Sequence, residues 1–84
     1  MTYKQYILQI LDKSYKPVYT CGQIIDFIME MKNVSRFDMV EKKRRMYGPV
    51  SSQLFRMVQS GQLYTLFRYG PRQGNGYRMR RDNL

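Results

Sequence analysis

The chain has no histidine and no tryptophan, one cysteine, three prolines and only six acidic side chains among 84 residues. Each shortage removes a class of function. Without histidine there is no side chain that ordinarily titrates near neutral pH and no imidazole metal ligand. One thiol, Cys21, rules out an intramolecular disulfide and any secreted disulfide framework, so Cys21 reads as a small core hydrophobe. The six carboxylates form no spaced constellation. Asp26 and Glu30 stand four apart on one helical face but lack further ligands, and read as solvent-facing rather than as a metal site. No catalytic residue, metal or cofactor is therefore expected. No stretch approaches the roughly 18 apolar residues of a membrane span, and Met1 to Gln5 lead into an amphipathic helix, which predicts a cytoplasmic protein with no membrane partner.

Positive charge is abundant. Residues 1–35 carry four basic and three acidic side chains and residues 36–84 carry eleven and three, so +1 and +8 make up the net +9. A one-sided excess of this kind is the footprint of a polyanionic partner and says nothing about fold. A chain of this length makes one small domain that buries about 60% of its unfolded surface, too little for a deep catalytic pocket.

Hydrophobic spacing orders the elements. Ile7, Leu8, Ile10 and Leu11 give a helix over 3–14. Lys16-Pro17 breaks it, and Val18-Tyr19 suits one short strand. Thr20-Cys21-Gly22-Gln23 fits a capping box opening a helix over 20–32, with Cys21, Ile24, Ile25, Ile28 and Met31 inward and Asn33 as its stop. Residues 33–47 read as a basic insertion carrying Lys42, Lys43, Arg44 and Arg45, in which Ser35 to Asp38 could open a further short helix running through Met39 and Val40 into those cations. Gly48-Pro49 resets the chain, with proline suited to the first position of a helix over 49–60. Gly61 closes that helix in a left-handed conformation, and a hairpin over 62–81 follows, with Tyr77 and Met79 on one face and Arg78 and Arg80 on the other. Gly70, Gly74 and Gly76 lack the Lys-Ser/Thr of a phosphate loop and suit a flexible hairpin tip. There are no internal repeats.

The helix over 49–60 carries the functional signal. Val50, Leu54, Met57 and Val58 form a buried stripe, leaving Ser51, Ser52, Gln53, Arg56 and Gln59 outside. That outer side is hydrogen-bonding, and Ser, Gln and Arg side chains pair with base edges in a DNA major groove wide enough to admit a helix. Phe55 is assigned chiefly to core packing, with the hairpin, a thymine methyl or a dimer interface as alternatives. Of the eight tyrosines, Tyr3, Tyr6, Tyr15 and Tyr19 fit half-buried positions, and Tyr69 and Tyr77 near the hairpin are the ones to test for base stacking.

The order helix, short strand, helix, helix, strand, turn, strand, carried by Ile7 to Leu11, Pro17 to Thr20 with Ile24-Ile25, and Val50 to Met57 with Gly61 and Leu63, resembles the winged helix-turn-helix superfamily over about residues 4–81. The resemblance implies an α+β fold of three or four helices with a small C-terminal β-hairpin wing, in one domain over 1–84. It implies that the third helix enters the major groove of double-stranded DNA, with Ser51, Ser52, Gln53 and Arg56 reading bases and Arg68, Arg72, Arg78 and Arg80 on or beside a wing that touches the backbone or minor groove. One departure stands out: about fifteen residues separate Lys32 from the helix at Pro49, where the family uses a few. That insertion either packs Phe37 and Met39 under the core or carries Lys42, Lys43, Arg44 and Arg45 to phosphates. The expectation is a sequence-specific duplex-DNA binder, a small transcriptional regulator of the kind phages and mobile elements carry, working with a second copy or a protein partner. The alternatives are a protein-interaction module on the same scaffold and a non-specific nucleic-acid binder.

Overall fold

A computed structural model describes residues 1–13, 18–67 and 74–80. Its elements run α1 (Tyr3–Lys13), β1 (Tyr19–Thr20), α2 (Cys21–Met31), α3 (Met39–Gln59), β2 (Leu63–Leu66) and β3 (Gly76–Met79). The class is α+β, with three helices and one antiparallel three-stranded sheet.

Local chemistry sets the helix ends. Thr20 and Gln23 form the expected capping box: the Gln23 amide donates to Thr20 Oγ1 at 3.2 Å and the Thr20 amide to Gln23 Oε1 at 3.0 Å. The same Thr-x-x-Gln pattern opens α1, where Thr2 and Gln5 exchange bonds of 2.8 and 3.2 Å. At the end of α2, Asn33 turns to φ +56, its amide bonds Glu30 O, and the Val34 amide reaches back to Met29 O at 3.0 Å. Asn tolerates that left-handed turn, and the bond pair satisfies carbonyls the helix would leave open. The end of α3 repeats the device with Gly61 at φ +84 and the Gln62 amide on Met57 O at 2.9 Å.

The helices close over one core. Ile7, Ile10 and Leu11 of α1, Ile24, Ile25, Ile28 and Met29 of α2, and Met46, Val50, Leu54 and Met57 of α3 are buried together with Leu63 of β2. The inner methionine of α2 is Met29; Met31, expected inward, is exposed. The strand order is β1-β3-β2, so β3 is central and Gly76 faces both Thr20 and Leu66. On the hairpin, Leu63 pairs with Met79, Tyr64 with Arg78 and Thr65 with Tyr77. Side chains alternate as the pattern at 77–80 requires: Tyr77 and Met79 pack against the core and Arg78 and Arg80 are exposed. The expected hairpin tip, with Arg68, Tyr69 and Arg72, lies outside the described residues.

The largest correction concerns residues 39–60. Gly48-Pro49 does not reset the chain; α3 is one helix of 21 residues with Pro49 inside it. Pro49 has no amide to donate to the Arg45 carbonyl, four residues back, and an interior proline costs about 3 kcal/mol. Packing outweighs that cost, because Met46 is buried in line with Val50, Leu54 and Met57, and each such side chain contributes about 1.5–3 kcal/mol. Arg45 and Pro49 are both exposed, so water reaches the carbonyl left without its partner. The connector between α2 and α3 therefore spans only residues 32–38, and the cation run lies on α3 itself. Of the pair that one alternative packed under the core, Met39 packs against it but Phe37 is 98% exposed.

A stability prediction follows. A Cβ added at Gly48 meets nothing within 4 Å. Gly48→Ala should therefore stabilise the protein by about 1 kcal/mol, and Pro49→Ala by more, read as higher urea midpoints at unchanged slope. A loss of stability in both variants would contradict a continuous α3.

Candidate nucleic-acid interface

The exposed side of α3 is built by rotation. Each helical residue turns about 100° from the last, so Ser51, Ser52 and Gln53 cannot share one face. Opposite the buried stripe stand Ser52, Arg56 and Gln59, spaced i, i+4 and i+7, all exposed. Ser51 sits on the flank nearer α2, where its hydroxyl lies 3.4 Å from Cys21 Sγ. Gln53 is half-buried on the opposite flank. Of the four residues proposed to read bases, the fold brings Ser52 and Arg56 together at the centre and adds Gln59 beside them. Phe55, assigned chiefly to the core, is instead 61% exposed and lies between Ser51 and Gln59 around the helix. Its position falls just past the edge of the Val50-Leu54-Val58 side, where the core ends.

The same rotation divides the cation run. Lys43 turns toward α2 and binds Asp26 Oδ1 at 2.9 Å, and Arg45 pairs with Glu41 one turn earlier at 3.2 Å. Lys42 and Arg44 are exposed, and among the described residues neither has a carboxylate partner. Four adjacent cations in sequence thus become two held by carboxylates and two open to an outside anion.

Cys21 is half-buried rather than a core residue. Burial pushes its thiol pKa up, while the Ser51 hydroxyl and the Lys43 cation pull it back less strongly. The thiol is therefore neutral at physiological pH and a poor nucleophile. Among the described residues no three His, Cys, Asp or Glu side chains come close enough to hold a metal ion, and no helix is long and apolar enough to cross a membrane.

The outer face of the sheet supplies the second half of the surface. Tyr64 and Arg78 pair directly across β2 and β3, with the Arg78 guanidinium 4.9 Å from the Tyr64 ring centre and that of Arg80 at 5.5 Å. These distances suit cation–π contacts, which hold both guanidinium groups over the ring. The same Arg80 guanidinium comes within 3.2 Å of where a Cβ on Gly61 would lie. Gly61 immediately follows the cap of α3, so Arg80 brings the sheet's cations beside the last turn, which holds Arg56 and Gln59. A cation there also complements the partial negative charge of a helix C-terminus. Any side chain at Gly61 would meet both a strained backbone and this arginine.

Tyr64 is the stacking-type aromatic that sequence reasoning passed over. Its signal lay in the hairpin register, which places it opposite Arg78 and which the unknown turn length concealed. Tyr77, singled out instead, is half-buried and faces the core; burial raises its phenol pKa, with a smaller lowering from its hydrogen bond with Asn75 and a further small rise from Cys21.

No protein-family model, no curated protein and no solved structure matches the chain.

Proposed function

We propose that the chain is a winged-helix, sequence-specific duplex-DNA-binding protein, a small regulator that lays α3 in the major groove and its sheet cations on the adjoining backbone. The observation that carries the reading is the approach of Arg80 to Gly61: the guanidinium that lies over the Tyr64 ring stands beside the end of α3, whose last turn holds Arg56 and Gln59. Element order supports the winged-helix assignment, because a hairpin follows the third helix and β1 pairs with its return strand.

Arg56 would place its two-pronged guanidinium on a guanine edge, Gln59 would pair with adenine, and Ser52 would bond either base type. Phe55 would lie against a thymine methyl. Lys42, Arg44, Arg78 and Arg80 would displace counterions from phosphates, which supplies affinity without sequence preference. A protein-interaction role is favoured by one feature, the exposed ring of Phe55 on the Ser51 side of the polar face, and would appear as partner capture without duplex binding.

The experiment is a salt titration of duplex binding by the intact chain. Each phosphate contact adds about −0.9 to the slope of log K against log salt. Arg44→Ala should weaken all duplexes alike and make that slope shallower by about 0.9, whereas Lys43→Ala should leave it unchanged because Lys43 already neutralises Asp26. Equal slope changes for the two variants, or no duplex binding at near-physiological salt, would overturn the assignment.

A further inference from the structure

The end of the molecule where α2 meets α3 carries a surface that neither the core nor the basic face uses. Phe37, in the turn before α3, is 98% exposed, and Val40, in the first turn of α3, is 83% exposed. No other large hydrophobic side chain among the described residues is as open to water as these two. A phenylalanine left in this state forgoes the whole of its burial free energy. Beside it lies an open groove of about 380 Å³ lined by Gln23, Asp26, Phe27, Met29, Glu30 and Met39. Phe37 is two residues from Met39 in that lining, so its backbone is within about 7 Å of the groove. Its own ring, exposed as it is, does not fill the space.

The charges are complementary as well. The groove is apolar at Phe27, Met29 and Met39 and acidic at its rim. Asp26 is held by Lys43, but Glu30 is exposed and has no cation partner among the described residues. Arg36, next to Phe37, is likewise exposed with no carboxylate partner among them. The projection thus joins an aromatic ring to a free cation, and the adjoining groove joins an apolar floor to a free anion.

We propose that a second copy of this chain docks on this face, in a two-fold dimer where Phe37 of each protomer enters the other's groove and Arg36 of each meets the other's Glu30. A projection and a recess side by side on one face are what a self-complementary two-fold contact requires. Charge selects a like partner. α2 belongs to the part of the chain that carries +1, whereas residues 36–84 carry +8. α2 itself carries Asp26 and Glu30 and no basic side chain, so pairing through α2 and the turn beside it sets an acidic surface against Arg36 rather than cation against cation. One ring and one ion pair per protomer make a small interface, which places the dimer among weak, reversible associations, with a dissociation constant on the order of 10 µM.

The test is sedimentation equilibrium of the intact chain with no nucleic acid present, so that its failure leaves the DNA reading untouched. The average mass should rise from 10.2 kDa toward twice that value across the micromolar range. Phe37→Ser should weaken association by at least about tenfold, and Glu30→Arg should do the same. Both positions are exposed, so far-ultraviolet circular dichroism should show unchanged folds. Combining Glu30→Arg with Arg36→Glu should restore association to within about threefold of the parent chain, a recovery that general loss of apolar surface cannot produce. A chain that stays at 10.2 kDa up to about 1 mM, a Phe37→Ser variant that associates normally, or a double variant no better than Glu30→Arg alone would each overturn the dimer.

Discussion

Leu54→Ala should lower the unfolding free energy by about 3 kcal/mol, within the 2–5 kcal/mol range of buried leucine truncations. Leu54 has no exposed surface and belongs to the cluster that joins α1, α2, α3 and β2. Truncation removes the transfer free energy of its isobutyl group and leaves a cavity, because neighbours such as Val50, Met57 and Ile28 are themselves fully enclosed and can collapse only partly. A domain of this size has roughly 4–13 kcal/mol in total, so the loss is a large share. It should appear as a fall of about 12–24 °C in the melting temperature. A fall of under about 5 °C would mean that α3 does not close on the other elements as described.

Arg56→Ala should have the largest effect on function. On a preferred duplex it should cost about 1–3 kcal/mol, and on unrelated duplexes much less, because a bidentate contact to a base edge discriminates whereas a phosphate contact does not. Arg56→Lys should recover affinity but not discrimination, since an ammonium group lacks the planar fork that matches guanine. The contrast with Arg44→Ala, which should weaken every duplex alike, separates base reading from backbone neutralisation. Equal losses for Arg56→Ala on all sequences would remove Arg56 from the reading face.

Periodicity and capping chemistry made most of the architecture legible. The apolar spacing of Ile24, Ile25 and Ile28, the Thr20-Gln23 box and the left-handed Asn33 and Gly61 locate α2 and the end of α3 within a residue or two. What failed was the inference from proline. Pro49 signals a helix start when only local terms are weighed, but Met46 and Met39 extend the buried stripe across it, and that packing is a tertiary fact. The same misreading inflated the connector between α2 and α3 from residues 32–38 to some fifteen residues and hid that Lys42 to Arg45 wind around one helix.

The candidate site was legible in type and less so in position. Ser52 and Arg56 emerge on the exposed side because they lie opposite Val50, Leu54 and Met57. Ser51 and Gln53, one residue to either side of Ser52, fall on opposite flanks, a consequence of helical rotation that a list of polar residues does not convey. Lys43 and Arg45 could not be separated from Lys42 and Arg44 without knowing where Asp26 and Glu41 stand relative to them. Tyr64 needed the pairing register with Arg78 before its role on the sheet face could be seen.

Binding-site selection from a randomised duplex library at near-physiological salt tests the central claim most directly, because retention alone is expected of any chain with a net charge of +9. Enrichment of a defined motif, lost in Arg56→Ala, is the predicted result. A pool that stays unenriched through successive rounds would contradict base reading by α3.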